Sequence, residues 1–329
     1  MLILTIDMGT SNTRSVLWRD GVVLGEAAAA VGVRDAAISG SKEGLKQALR
    51  DTIVRVLAAS DVAEHEVALA LASGMIGSNV GLAELPHLLA PAGAAELAAG
   101  MARFDMPEIF AGPLWIIPGV RNYAGKVGLH NQEAMDMVRG EESEIVGLLT
   151  RQQLRERAMF ILPGSHTKFL SVDEDGRILG CATTIAGELL QAISQHTLIG
   201  QSLGGGFGKQ LHPEQVRAGA ATARKVGLAR ACFSVRILAQ FSDVDVDERA
   251  SFLLGAVLAD DLLALKNSSA IQMRPDTTIV ICGKPMLRDA LALLLAEQSF
   301  FYGRQIVVDD ASQAHMAGAG ALALASRRF

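Results

Sequence analysis

The sequence predicts an α/β protein of two similar lobes, and three observations carry that prediction. The chain has 329 residues, roughly twice the ~150 of a typical domain. A strand, loop, strand, turn, strand pattern near its start returns in its second half, each copy followed by helical periodicity and then a buried apolar strand. Half of the residues are hydrophobic, yet only 11 Phe, 2 Trp and 2 Tyr are aromatic, so the cores are built from Ala, Leu, Val and Ile, which suits helices packed on sheets.

The first copy opens on Leu2-Ile3-Leu4-Thr5-Ile6, a short apolar run. It passes through the polar loop Asp7-Met8-Gly9-Thr10-Ser11-Asn12-Thr13 into Arg14-Ser15-Val16-Leu17-Trp18, and an Asp20-Gly21 turn leads to Val22-Val23-Leu24. Leu45, Leu49, Ile53, Val56 and Leu57 share one face at helical spacing and predict a helix from 43 to about 59. Residues 67–72 read as a buried strand that runs into Ser73-Gly74-Met75-Ile76-Gly77-Ser78. The second copy is Met159-Phe160-Ile161-Leu162, Pro163-Gly164-Ser165-His166-Thr167-Lys168, Phe169-Leu170-Ser171-Val172, a turn at Asp175-Gly176, and Ile178-Leu179. At a constant offset of 155, Gly9 falls on Gly164, Thr10 on Ser165 and Asp20-Gly21 on Asp175-Gly176, the mark of an internal duplication. Helices follow at about 187–199, 216–226, 231–241 and 248–265, then a strand at 279–282 opening onto Gly283-Lys284-Pro285, a strand at 306–308, and a last helix at 311–326. The stretch 118–128, rich in Gly and Pro, divides the expected lobes into 1–125 and 126–310, with 311–329 packing back onto the first.

Composition removes several function classes. A net charge of −5 offers no basic stripe for nucleic acid. The three cysteines, Cys181, Cys232 and Cys282, lie far apart, which fits a reducing compartment and neither a disulfide framework nor a zinc site. The longest uncharged stretch, 189–208, is interrupted by Gln191, Gln195, His196 and Gly204-Gly205-Gly206, so no membrane segment is expected. No basic leader precedes the first strand, and a cytoplasmic location follows as the expectation. The nearest approach to a Walker loop, from Gly119 to Lys126, is one residue too long and lacks the hydroxyl. Gly318-Ala319-Gly320 leaves no room in this sequence for a βαβ unit, which excludes a Rossmann dehydrogenase.

The two loops remain. In the first, Gly9 lets backbone amides turn toward an anion, the hydroxyls of Thr10, Ser11 and Thr13 add donors, and Asp7 suits Mg²⁺. In the second, Gly164, Ser165, His166 and Thr167 repeat the donors and Lys168 adds a cation, but Leu162 stands where the first has Asp7. Two such loops facing each other would clamp a polyphosphate, although each alone also reads as an ordinary polar turn.

Duplicated meanders with Asp-x-Gly-Thr-type loops and a late apolar strand ending in Gly283 resemble the ASKHA superfamily of actin, sugar kinases and heat-shock ATPases. More closely, the chain resembles the 2-dehydro-3-deoxygalactonokinase family. The likeness runs through Asp7-x-Gly9-Thr10-Ser11-Asn12, Gly32-Val33-Arg34, Gly74-Met75-Ile76-Gly77-Ser78, Pro118-Gly119, Arg139-Gly140-Glu141-Glu142, Pro163-Gly164-Ser165-His166-x-Lys168, Gly187-Glu188 and Ser194-Gln195-His196. Met8 and Ala186 stand where the family pattern has Trp and Thr.

The resemblance implies two RNase H-like (actin/hexokinase-type) lobes with an interlobe nucleotide cleft. It also implies transfer of a phosphoryl group from ATP, with Mg²⁺, to the terminal hydroxyl of 2-dehydro-3-deoxy-D-galactonate. Asp7 is expected to serve the metal, and Glu141, with Glu142 close behind, to accept the hydroxyl proton. The same acidic run also suits a helix start, where the dipole favours Glu. Ser73, Gly74, Met75, Ile76, Gly77, Ser78 and His196 are expected on the sugar acid, with Arg14, Arg34 and Arg121 as candidates for its carboxylate, which arginine grips with two parallel bonds, and Gly283 and Lys284 on the nucleotide. Homo-oligomerisation stays open. The competing readings are another ASKHA enzyme, either a kinase for a different sugar acid or an exopolyphosphatase-like hydrolase, and a non-catalytic nucleotide- or sugar-binding regulator.

Overall fold

The computed structural model describes residues 1–329 except Ala124 and Phe207. The first meander forms as expected: β1 (Leu2–Met8), β2 (Thr13–Arg19) and β3 (Val22–Ala29) pair antiparallel. Helices α1 (Val33–Ser39) and α2 (Glu43–Ala59) lead into β4 (Leu69–Gly74), which runs parallel to β1. Strand alternation sorts two faces. Leu4, Ile6, Met8 and Leu17 are buried in one core with Leu45, Leu49 and Ile53 of α2, while Thr5, Asp7, Arg14 and Val16 line a cavity on the opposite face.

Short elements follow: β5 (Leu88–Leu89), α3 (Ala94–Gly100), β6 (Ala102–Phe104), β7 (Leu114–Ile116), β8 (Val120–Arg121) and β9 (Met137–Val138). The first lobe's sheet runs β3-β2-β1-β4-β7-β6, and β5-β8-β9 form a separate small sheet. The boundary expected between 125 and 126 falls between β8 and β9, which are paired.

Helix α4 (Glu141–Gln152) leads to the second meander of β10 (Ala158–Leu162), β11 (Thr167–Val172) and β12 (Ile178–Thr184). After α5 (Ala186–His196), α6 (Ile199–Ser202), α7 (Pro213–Val226), α8 (Leu228–Phe241) and α9 (Val246–Asn267) come β13 (Thr278–Ile281), α10 (Pro285–Ala296) and β14 (Gln305–Val307). The resulting order β12-β11-β10-β13-β14 repeats β3-β2-β1-β4-β7 of the first lobe.

The helix expected at 311–326 is in fact two, α11 (Asp310–Gln313) and α12 (Met316–Arg328). His315 takes φ +55 between them, and Arg151 holds the carbonyls of Ser312 and Ala314. Helix α12 returns to the first lobe, packing on β1, β4, α3 and above all α4. At that crossing a Cβ on Gly320 would lie 1.8 Å from the Ser143 carbonyl oxygen, and one on Gly147 2.3 Å from that of Met316. No helix among the described residues is long and apolar enough to cross a membrane.

The duplication is closer in space than in sequence. Asp7 pairs with Arg14 at the end of β1, and Leu162 with Lys168 at the end of β10, so Arg14 and Lys168 are equivalent and the second loop is one residue shorter. The hairpin after it is one residue longer, as Trp18 meets Val23 but Val172 meets Ile178. A glycine with positive φ follows each fourth strand's core, Gly74 at +84 as the last residue of β4 and Gly283 at +111 two residues beyond β13. A Cβ on either would press on the neighbouring strand-end carbonyl oxygen, at 2.4 Å from Met8 or 2.7 Å from Pro163. Gly283→Ala therefore meets both backbone strain and a clash, and thermal melts should show the melting temperature falling by several degrees with a correctly folded far-UV spectrum.

Candidate active site

Each loop is held from below by the start of a helix. In the first, the Gly9 amide donates to the Asn12 carbonyl at 2.8 Å, and the amides of Val33 and Arg34 donate to the carbonyls of Gly9 and Thr10 at 3.3 and 3.0 Å. The Arg34 guanidinium reaches the Ser11 hydroxyl at 2.5 Å. In the second, the Glu188 amide donates to the Ser165 carbonyl at 2.9 Å, and His166 Nε2 lies 3.3 Å from the Glu188 carboxylate. Gly32 and Gly187 occupy matching places: a Cβ on the first would lie 2.4 Å from Thr10, and on the second 2.1 Å from the Gly164 carbonyl oxygen. The amides of Thr10, Ser11, Ser165 and His166 make no hydrogen bond among the described residues, which leaves a row of donors suited to phosphate oxygens.

Two expected donors are lost to strand alternation. Thr13 and Thr167, equivalent first residues of β2 and β11, point inward and are fully buried. Thr13 donates to the Val31 carbonyl at 2.9 Å, and Thr167 to Asp261 of α9 at 2.8 Å, so neither hydroxyl is free for a ligand. Asp261 also accepts from Thr184 at 2.5 Å, which ties α9 to the second loop. Lys168 donates to Thr183 at 3.0 Å.

The acids converge where β1, β4 and α4 meet. Asp7 lies deep in the protein yet lines an open cleft, and burial lifts its carboxyl to about 6 against the pull of Arg14, with Glu141 adding to the rise. Glu144, one turn beyond Glu141 on α4, is pushed well above the usual carboxylate range by burial and then by Asp7, Glu141 and Glu142. A cavity of about 80 Å³ joins these groups, lined by Thr5, Asp7, Arg14, Glu144, Gln313 and His315 among others. Gly140 abuts the Gly74 turn, since a Cβ on it would lie 3.1 Å from Gly74 Cα.

Glu141 and Glu142 part at this point, as consecutive helical residues must. The Glu142 carboxyl turns back onto the Gly140 amide, 2.8 Å from both oxygens, and is completely buried, which raises it to about 8. Glu141 stays half-buried, accepting the Arg139 amide at 3.0 Å.

The remaining expected residues scatter. Ile76 is fully buried in the first lobe's core and cannot touch a ligand. Ser73 and Ser78 are buried too, with the Ser78 hydroxyl on the Met75 carbonyl at 2.7 Å, and Met75 is the half-buried member of its turn. Gly283 has both polar groups taken by Gln313, its amide at 2.7 Å and its carbonyl at 3.0 Å, so it offers surface but no hydrogen bond to a nucleotide. Lys284 is exposed at the N-cap of α10. Asn12 is exposed on its loop, and Arg121 is half-buried in β8. His196 is exposed at the far end of α5, roughly 14 Å along the helix from Gly187. Sequence reasoning missed Glu144, legible as one turn after Glu141, and Gln313, for which the sequence holds no signal.

Two lobes that share five strands in the same order, with polar loops at the ends of their first strands and a crossing helix pair, define an actin-like fold. The activator of 2-hydroxyisocaproyl-CoA dehydratase from Clostridium difficile, solved with ADPNP, shares this fold at TM-score 0.52 and 11% identity, covering 100% of this chain and 96% of its own. The family model for 2-keto-3-deoxy-galactonokinase matches residues 7–322, and the chain belongs to that family. A 2-dehydro-3-deoxygalactonokinase of Escherichia coli (strain K12) is 29% identical over 185 residues, which is 56% of this chain and 52% of the relative, so the match spans about half of that protein's length. A crystal structure assigned to the same kinase from Sinorhizobium meliloti superposes at TM-score 0.76 with 20% identity, over 98% of this chain and 95% of that one.

The buried Glu142 carboxyl carries a pH signature. Its folded value lies above its unfolded one, so it costs nothing below about 4.5 and destabilises increasingly as pH rises toward 8. Glu142→Gln should raise the melting temperature by several degrees at pH 8, with the gain vanishing near pH 4.5 in a melting series.

Proposed function

We propose that this protein is an ATP-dependent kinase that phosphorylates the terminal hydroxyl of 2-dehydro-3-deoxy-D-galactonate to the 6-phosphate, in cytoplasmic D-galactonate catabolism. The observation that carries this reading is the pair of equivalent strand-end loops with free amides, flanked by Arg14 in one lobe and Lys168 in the other, with the half-buried Glu141 at the start of α4. Family membership supports the substrate.

The residues present fit Mg²⁺-ATP. Asp7 is a carboxylate that burial leaves ready for a cation, and the loop amides lack acceptors. Asp7 would hold the ion together with the nucleotide's phosphates, since Mg²⁺ usually takes one or two carboxylates and keeps several waters. Mg²⁺ bound with ATP neutralises charge on the phosphoryl oxygens.

The chain's own residues do the rest by positioning. The amides of Thr10, Ser11, Ser165 and His166 orient the phosphates, and Arg14 and Lys168 bring one positive charge from each lobe. Glu141 accepts the proton of the sugar hydroxyl at a carboxylate oxygen, whereas Glu142, protonated at neutral pH and bonded to Gly140, holds the start of α4 in place. Closure of the lobes excludes water and favours the sugar hydroxyl as acceptor.

An ADP-release assay across 2-keto-3-deoxy sugar acids, other sugars and polyphosphate tests the reading. Release should require the sugar acid, and hydrolysis of polyphosphate alone would move the assignment to a hydrolase. Glu141→Gln should lower kcat by 100-fold or more, within the range for loss of a general base, while fluorescent nucleotide binding stays near wild type. Because Asp7 titrates near 6 and must be ionised to hold a cation, KM for Mg²⁺-ATP should rise as pH falls below 6, and Asp7→Asn should raise it at every pH.

A further inference from the structure

Arg121 in β8 and Arg139 immediately after β9 form no ion pair with a carboxylate within 4 Å among the described residues. Leu88, Val120 and Val138 lie in one row, with Val120 and Val138 buried in the core between the lobes. Leu89, Arg121 and Met137 form the row on the other face, where Leu89 and Met137 are exposed. Alternation puts His87, Gly119 and Arg139 on that outward face as well. Gly119 makes room for the imidazole, since a Cβ there would lie 2.7 Å from His87 Cδ2.

Arg139 donates through Nη2 to the Leu85 carbonyl at 2.7 Å and to His87 Nδ1 at 3.2 Å. A guanidinium can only donate, so Nδ1 accepts and the imidazole proton sits on Nε2. Burial, with Arg139 and Arg121 beside it, pushes His87 down to about 4, which keeps it neutral. The other terminal nitrogen of Arg139, Nη1, is buried against Gly77 and makes no hydrogen bond. The carboxylates that Arg139 senses are Glu142, itself protonated near neutrality, and the exposed Glu84, and neither is within ion-pair distance. A buried charged donor without a partner is costly, and two guanidiniums flanking a neutral imidazole repel each other unless an anion lies between them.

We propose that His87, Arg121 and Arg139 form the subsite for the carboxylate of the sugar acid, at the end remote from the hydroxyl that is phosphorylated. This rests on the kinase reading above and deepens it. Arg139 connects the two ends of the substrate: its amide bonds Glu141, and its side chain, similar in extended length to a six-carbon acid, ends in this cluster. The other candidate arginines are engaged elsewhere, Arg14 opposite Asp7 and Arg34 on the Ser11 hydroxyl of the phosphate loop.

Steady-state kinetics with Arg121→Met and Arg139→Lys test the subsite. KM for 2-dehydro-3-deoxy-D-galactonate should rise tenfold or more in each, with KM for ATP within twofold of wild type. The penalty should disappear for the analogue whose carboxylate is reduced to a neutral alcohol. If Arg139→Lys does not fold, Arg121→Met on the open face decides alone. An unchanged KM for the acid overturns the subsite. Absence of turnover of every 2-keto-3-deoxy acid by the wild type overturns the kinase reading instead, and calorimetric titration with the same acid then decides for the subsite. Binding that Arg121→Met abolishes sustains it, and no binding by the wild type ends it.

Discussion

Backbone contact between α4 and α12 is the constraint on which the rest of the molecule depends. The helices approach so closely at Gly147 and Gly320 that no side chain fits between them. Helix α4 carries Glu141, Glu142 and Glu144 in its first turn, and α12 rests on β1, the strand that carries Asp7 next to its last residue. Immediately before α12, Gln313 grips both polar groups of Gly283 just beyond the second lobe's fourth strand. One crossing point therefore fixes the acids of α4 against Asp7 and ties both to the opposite lobe. The burial that raises Asp7, Glu142 and Glu144 follows from the same tight packing.

Around that crossing the two lobes differ where chemistry would need them to. Each presents a loop clamped by a glycine-led helix and a cation opposite the end of its first strand. Only the first lobe has an acid, Asp7, opposite that cation, where the second has buried Leu162. The shared scaffold thus provides two sets of anion donors but one carboxylate, and the second lobe instead spends its acid, Asp261, inside its core to fix Thr167 and Thr184.

Much of this was legible in the sequence because it is periodic. Both meanders, the long helices and the strands leading to Gly74 and Gly283 show in alternation or helical spacing, and the repeated loops showed the duplication. The small sheet did not, since strands of two residues have no period to read, and with it went His87 and Arg139. The break at His315 is held by tertiary bonds from Arg151 and Gln313, not by a local breaker. Thr13 and Thr167 looked like ligand donors because composition shows a hydroxyl but not which face of a strand it takes. The division of labour between Glu141 and Glu142 was illegible for the plainest reason: identical neighbours differ only in direction.

The shortened second loop and its lengthened hairpin shift one strand of the repeat by a single position and then restore the count. A comparison of the halves that allows no gap sets Arg14 against Phe169, a cleft cation against a core ring, and Thr13 against Lys168. The matching cations then look like divergence, although they are what the halves most visibly share. The loop and the hairpin thus differ between the lobes by one residue each, in opposite senses, so that the two changes cancel along the chain.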